Sequence, residues 1–189
     1  MRSQTIIAGI GGQGVLFTTK VFIEMAQCKA VPVLGSQTFG MAQRGGSVMT
    51  HLKIGDFNSP LIGEGDADLL LALDSTEAHR TLPYLRSRQD GRSAMCVVNV
   101  PRGQVFPDHR VAELLSEMQV SVHTCDADAA ALRLHSPMMA NLVLLGFGSS
   151  QRDFPFTYTE VREATEALSG AARRSANLEA LECGRALKS

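Results

Sequence analysis

The stretch "IIAGIGGQGV", residues 6–15, decides how the rest of the chain reads. An apolar, β-branched run breaks into Gly9, Gly11, Gly12 and Gly14. Residues 4–8, "QTIIA", form a buried strand stopped by glycine. The following "VLFTTKVFIEMAQCKA" puts Leu16, Val21, Phe22 and Met25 at helical spacing. A glycine turn between a strand and a helix is the context of a phosphate-binding loop. In that reading Gly9 permits the turn, Gly11 admits a phosphate and Gly14 lets helix pack on strand. The helix N-terminus then offers free N–H groups to an anion. Gly12 and the Gln13 amide go beyond the minimal fingerprint. The same bare backbone would equally let a partner's surface pack against it. A dinucleotide fits poorly, because the acid expected roughly 20 residues on, for the ribose, is missing where strand two ends in "VLGSQ".

Working outward, "VPVLG" (31–35) is a second short strand, so the chain opens with a β-α-β unit of a parallel sheet. The polar, glycine-bearing "SQTFGMAQRGG" (36–46) follows as a loop. Val48, Thr50, Leu52 and Ile54 then alternate, as in a strand at a sheet edge, antiparallel to its neighbour. "DLLLALD" (68–74) and "AMCVVNV" (94–100) are buried central strands. "STEAHRTLPYLR" reads as a helix capped by Ser75 with Glu77 in its first turn. "HRVAELLSEM" is a helix, "QVSVHTC" a strand, and "DADAAALRL" a helix capped by Asp126 or Asp128. "SPMMANLVLLGFGSS" (136–150) is a more apolar helix, and residues 160–182 a last long one with Gly170 as its weak point. Strands alternating with helices predict an α/β sheet covered on both faces.

The 189 residues suit one domain with a sizeable core. A formal net charge of −1 gives no global attraction to nucleic acid or an anionic membrane. Trp is absent and aromatic residues are sparse, which gives poor support for a stacking surface for single strands. The apolar runs are too short or interrupted to span a bilayer, and no signal-peptide pattern opens the chain, so the expected location is cytoplasmic. Cys28, Cys96, Cys125 and Cys183 are scattered without a C-x-x-C pair, against a disulfide framework or a zinc or iron–sulfur site built by this chain.

A second constellation lies in "GSQTFGMAQRGGSV" (35–48), where Ser36, Gln37 and Thr38 precede Arg44, Gly45 and Gly46. An arginine beside a double glycine suits a bidentate fork on a carboxylate or phosphate, although a surface arginine paired with a neighbouring acid is the plainer reading. Because the loop follows strand two, it is expected at the same sheet end as the glycine turn, lining one crevice. His51 reads as structural. His123 and Cys125 lie two apart on one strand, where a packed position outweighs a nucleophile–base pair. Glu64, Asp66 and Asp68 read as a solvated turn rather than a metal loop. No complete catalytic set emerges.

Taken together, "GIGGQGV" (9–15), "GSQTFGMAQRGGSV" (35–48), "ADLLLALD" (67–74) and "NLVLLG" (141–146) resemble the gamma subunit, or gamma domain, of 2-oxoacid:ferredoxin oxidoreductases. The stretch "SPLIGEGDADLLLALDSTEAHRTLPYLR" looks most like the indolepyruvate oxidoreductase branch. The resemblance implies a single three-layer α/β/α domain over residues 1–189, Rossmann-like and with a mostly parallel sheet. It also implies a reaction: oxidative decarboxylation of a 2-oxoacid with coenzyme A to an acyl-CoA, CO2 and reduced ferredoxin. Thiamine diphosphate with magnesium, and 4Fe-4S clusters, are then expected on larger partner subunits, since this chain has neither a thiamine diphosphate motif nor cluster cysteines. The gamma domain of related enzymes lies near the active site and is associated with coenzyme A. That makes Gly9, Gly11, Gly12, Gln13, Gly14, Ser36, Arg44, Gly45 and Gly46 the candidates for the CoA phosphates or for the interface with the thiamine subunit. The family often ends strand two in an acidic residue, where this chain has Gly35. The competing readings are a stand-alone nucleotide-binding protein and an adaptor that kept the fold.

Overall fold

The computed structural model describes residues 1–40, 45–88, 93–100 and 109–187. Its six-stranded sheet has the order β2-β3-β1-β4-β5-β6. The strands are β1 (Ser3–Ile10), β2 (Val33–Phe39), β3 (Ser47–Ile54), β4 (Leu69–Ala72), β5 (Met95–Asn99) and β6 (Ser121–Cys125). β1, β4, β5 and β6 are mutually parallel, and β3 alone runs against its neighbours β1 and β2. The helices are α1 (Val15–Cys28), α2 (Ser75–Thr81), α3 (His109–Glu117), α4 (Ala127–Arg133), α5 (Ala140–Ser149), α6 (Tyr158–Leu168) and α7 (Ala171–Arg185).

Two apolar layers follow from the strand period. Ile7, Leu69, Leu71, Met95 and Val97 face a core shared with α1 and α4–α7. Ile6, Ala8, Leu70, Ala72, Cys96 and Val98 face a second core with Ala78 of α2 and Leu115 of α3. Both faces of β1, β4 and β5 are therefore covered, as the near-continuous apolar runs require. Three layers result, as expected.

Several local readings change. β2 and β1 are not neighbours, because β3 folds back from β2 and inserts between them, pairing Ile10 with Ser47 through Ser3 with Ile54. The edge strands are β2 and β6, and β2 continues through the "SQTF" read as loop. β3 is internal; His51 and Lys53 are buried like Leu52 and Ile54, so only its first half alternates. α2 is capped by Asp74 rather than Ser75, with the carboxylate accepting from the N–H of Thr76 (2.8 Å) and Glu77 (3.1 Å). The last long helix breaks at Ser169 and Gly170 into α6 and α7. The break lets α7 lie against α5, where a Cβ at Gly146 would fall 2.1 Å from the Leu181 carbonyl oxygen and one at Gly184 1.9 Å from that of Val143. α5 itself is preceded by a 3-10 turn at Pro137–Met139, and of the two candidate caps for α4 the structure selects Asp126.

Candidate functional site

β1 leads through α1 toward β2 on one side, whereas β4 leads through α2 to β5 on the other, and the two helices lie on opposite faces. The sheet therefore has a switch point between β1 and β4, where a crevice opens at the strand carboxyl ends. It measures about 170 Å3 and is lined by Gly12, Gln13, Leu73, Asn99, Asp128, Met138 and Asn141, among others.

The glycine turn forms one wall, with a division of labour that differs from the expected one. Gly9 is a packing glycine, where a Cβ would meet Val15 at 3.0 Å and Leu73 at 3.1 Å, and Gly14 packs too, but against Asn141 of α5 rather than against the strand. Gly12 and Gly14 make the turn, with φ of 105° and 88° in the left-handed region that glycine tolerates. Gly11 does allow a close approach, but of this chain's own backbone: its N–H donates to the Gly46 carbonyl at 2.8 Å. The Gln13 side chain folds inward, and its Oε1 accepts from the Ile10 N–H at 2.7 Å. Gly12 faces open space, with nothing within 4 Å of where a Cβ would be. α1 starts at Gly14 with no side-chain cap, so its first-turn N–H groups and dipole present the donor set an oxyanion takes.

The expected juxtaposition of the two glycine segments holds for Gly45 and Gly46, which the Gly11 bond ties to the turn. It fails for Ser36. Ser36 pairs with His51, which pairs with Ile6, so Ser36 lies at mid-sheet and lines a separate groove with Thr19, Ile23 and Gln27. Arg44 lies outside the described residues.

The opposite wall comes from residues that the motifs did not single out. Asn99, ending β5, donates through Nδ2 to the Leu73 carbonyl (3.1 Å) and to Asp128 Oδ2 (2.8 Å), and its Oδ1 accepts from the Ala127 N–H (2.9 Å). Asn141, at the start of α5, has Nδ2 3.5 Å from the Gly14 carbonyl and 3.4 Å from Thr18 Oγ1. A lone asparagine ending "MCVVN" and another opening "NLVLLG" were the available signals, since a buried amide in an apolar run must find partners.

The other candidate groups are structural. His51 Nδ1 accepts from the Ile62 N–H at 3.2 Å and its ring meets Tyr84 edge-on, while burial, with Lys53 adding to it, holds its pKa below the ordinary value. Burial likewise lowers His123. The Cys125 thiol is pushed up to about 12 by burial and by Asp126 and Asp128, which is the opposite of an activated nucleophile. Glu64 and Asp66 are solvated, whereas Asp68 is only partly exposed and is held by Arg86 at 2.7 Å and by a hydrogen bond it accepts from the Gln4 N–H. Among the described residues no group of three or more His, Cys, Asp or Glu is placed to hold a metal ion, and no helix is long and apolar enough to cross a membrane.

Comparison with known proteins places the chain. Residues 4–187 match the family described as pyruvate ferredoxin/flavodoxin oxidoreductase. The indolepyruvate oxidoreductase subunit IorB of Archaeoglobus fulgidus is 31% identical over 97% of this chain and 94% of its own. The IorB subunit of Methanothermobacter thermautotrophicus is 33% identical over 82% of each. The keto/oxoacid ferredoxin oxidoreductase gamma subunit of Geobacter sulfurreducens shares the fold with a TM-score of 0.69 at 19% identity, over 96% of this chain and 95% of that one. The 2-oxoglutarate:ferredoxin oxidoreductase of Magnetococcus marinus, solved with 2-oxoglutarate, coenzyme A and succinyl-CoA bound, matches 98% of this chain within 30% of its own, with a TM-score of 0.74 at 20% identity. The chain belongs to the pyruvate ferredoxin/flavodoxin oxidoreductase family, as a relative of the IorB subunits of indolepyruvate oxidoreductases.

Proposed function

We propose that this single-domain chain is the gamma-type subunit of a cytoplasmic 2-oxoacid:ferredoxin oxidoreductase whose substrate is an aryl pyruvate, and that its switch-point crevice borders the coenzyme A site. The complex removes CO2 from the 2-oxoacid, passes the resulting electron pair to ferredoxin, and transfers the acyl group to the CoA thiol. Thiamine diphosphate with magnesium, and iron–sulfur clusters, supply the carbon and electron chemistry on larger partner subunits. In this chain the four cysteines are free and spread over α1, β5, β6 and α7.

One observation carries the CoA reading: the Gly11 N–H bond to Gly46 joins the glycine turn to the double-glycine loop beside the uncapped start of α1. The residues fit a phosphate there. Gly12 and Gly45 both face open space, so backbone N–H groups can approach an oxyanion without side chains intervening. Arg44, next in the chain to Gly45, would add charge and a bidentate fork. Leu16 and Met138, 47% and 80% exposed, are apolar surface on α1 and at the crevice rim that a partner subunit would cover.

In the assembled complex, Arg44→Ala should raise the KM for coenzyme A about tenfold, the loss of one charged hydrogen bond, with little change for the 2-oxoacid. Unchanged CoA kinetics would remove the CoA role and leave the loop an interface with the thiamine subunit. Affinity isolation from the native host, assayed for CoA-dependent reduction of a low-potential dye with pyruvate, 2-oxoglutarate and aryl pyruvates, tests the complex and its substrate together.

A further inference from the structure

Glu77 is a buried carboxylate with no part in the reading above. It lies in the first turn of α2 and is 6% exposed. Its Oε2 accepts from Ser47 Oγ at 2.5 Å, and its Oε1 from Arg80 Nη1 at 3.3 Å. The Arg80 side chain is 66% exposed, so this cation is held in solvent and the firm contact is to Ser47. Ser47 opens β3, pairs with Ile10 at the end of β1, and directly follows Gly46. A continuous path therefore runs from α2 through Glu77 and Ser47 to Gly46, and through the Gly46 carbonyl to the Gly11 N–H.

We propose that Glu77 is a positioning residue that fixes the Gly45–Gly46 turn against the glycine turn. Neither glycine has a side chain to anchor it, and Gly45 stands at a φ of 75° with nothing within 4 Å of a Cβ. Backbone bonds hold the two ends of this segment, the Gly40 N–H to the Ser47 carbonyl at 2.7 Å and the Gly11 N–H to the Gly46 carbonyl at 2.8 Å, and neither engages the Ser47 side chain. The charged hydrogen bond from the Ser47 hydroxyl to Glu77 adds a side-chain anchor immediately beyond Gly46. An acid placed only to complement the helix dipole would be served as well in solvent, without the cost of burial. The ligand consequence, a turn preset for a CoA phosphate, rests on the CoA reading above.

The test uses Glu77→Gln, Glu77→Ala, Ser47→Ala and the double alanine variant, first in the full chain by amide hydrogen exchange. Loss of the bond should speed exchange of the Gly11 amide, which donates to the Gly46 carbonyl, about tenfold in both alanine variants, with β4 and β5 unmoved and the double variant no worse than either single one. Glu77→Gln, which still offers an oxygen to Ser47, should restore most of the protection. In the assembled complex the same variants should raise the KM for coenzyme A in parallel while kcat stays put. Unchanged exchange in Ser47→Ala would overturn the proposal and leave Glu77 a charge at the start of α2. Faster exchange with CoA kinetics unmoved in Glu77→Ala and also in Arg44→Ala upholds the positioning and removes the CoA reading. A CoA effect confined to Arg44→Ala overturns the positioning consequence alone.

Discussion

Replacing Gly14 by alanine should destabilise the chain well beyond the same change at Gly12, by an amount the geometry sets. Both glycines have φ in the left-handed region, 88° and 105°, so either alanine carries strain of about 1–2 kcal/mol. At Gly12 the cost ends there, because nothing lies within 4 Å of the new carbon. At Gly14 the methyl would stand 2.6 Å from Asn141 Nδ2 and 2.7 Å from its Cγ, closer than atoms can approach. Asn141, 5% exposed, would have to turn away from the Gly14 carbonyl and Thr18 Oγ1 inside packed surroundings. Overpacking and the lost bonds add about 2 kcal/mol, for a total of about 3–4 kcal/mol at Gly14. Thermal unfolding should register a fall in Tm of about 10 °C for Gly14→Ala against about 4 °C for Gly12→Ala. Adding Asn141→Ala to Gly14→Ala removes the clash, so the double-mutant cycle should be non-additive by at least about 1 kcal/mol. Equal costs at the two glycines, or an additive cycle, would refute the contact between the turn and α5.

Two further outcomes follow from packing and charge. Helix propensity alone favours Gly184→Ala by about 1 kcal/mol. The carbon would instead lie 1.9 Å from the Val143 carbonyl oxygen, so α7 must part from α5 at a cost of about 3 kcal/mol or more; denaturant midpoints check the sign, with Gly170→Ala, in open space, as the neutral comparison. Burial pushes the Glu160 carboxyl up, but the Lys29 ammonium and the N–H and hydroxyl of Thr157 outweigh it and hold the pKa below its ordinary 4.5. The stabilisation is therefore complete above about pH 4.5 and lost as pH falls through the lower folded value. Glu160→Gln should flatten stability against pH in that acid range, and an unchanged acid limb would contradict the pairing.

Periodicity carried the central sheet. Ile6 and Ile7, Leu69 to Leu71 and Met95 to Val98 are apolar without alternation because helices cover both sides, and a short unbroken apolar run bounded by turn residues is the mark of such a strand. β3 was harder. Its apolar alternation at Val48, Thr50, Leu52 and Ile54 is genuine, but alternation reports the chemistry of one face and not which strands lie beside it. His51 and Lys53 are buried on the other face, His51 against Ile62 and Tyr84 and Lys53 over the Phe57 ring. The glycine turn was legible as a turn, yet which glycine packs and which carries positive φ depends on Val15, Leu73 and Asn141, and on the Gly46 carbonyl. The crevice's far wall was not legible as a wall, because Asn99, Asp128 and Asn141 are brought together only when β5, α4 and α5 converge.

The same insertion of β3 changes what the missing ribose acid means. In a dinucleotide fold the end of strand two lies beside strand one, so an acid there reaches the ribose. Here Gly35 pairs with Leu52 and Leu52 with Thr5, which places Gly35 two strands away, about 10 Å, and level with the beginning of β1 rather than its end. The strand position next to the glycine turn belongs instead to Ser47, behind Gly46. An acid at residue 35 therefore could not serve a nucleotide at the turn, and its absence is no evidence about ligands there. Gly35→Asp should leave the chain without measurable NAD or NADP binding by calorimetry, and a mutant that acquires such binding would show that β2 lies in a different register, within reach of the turn.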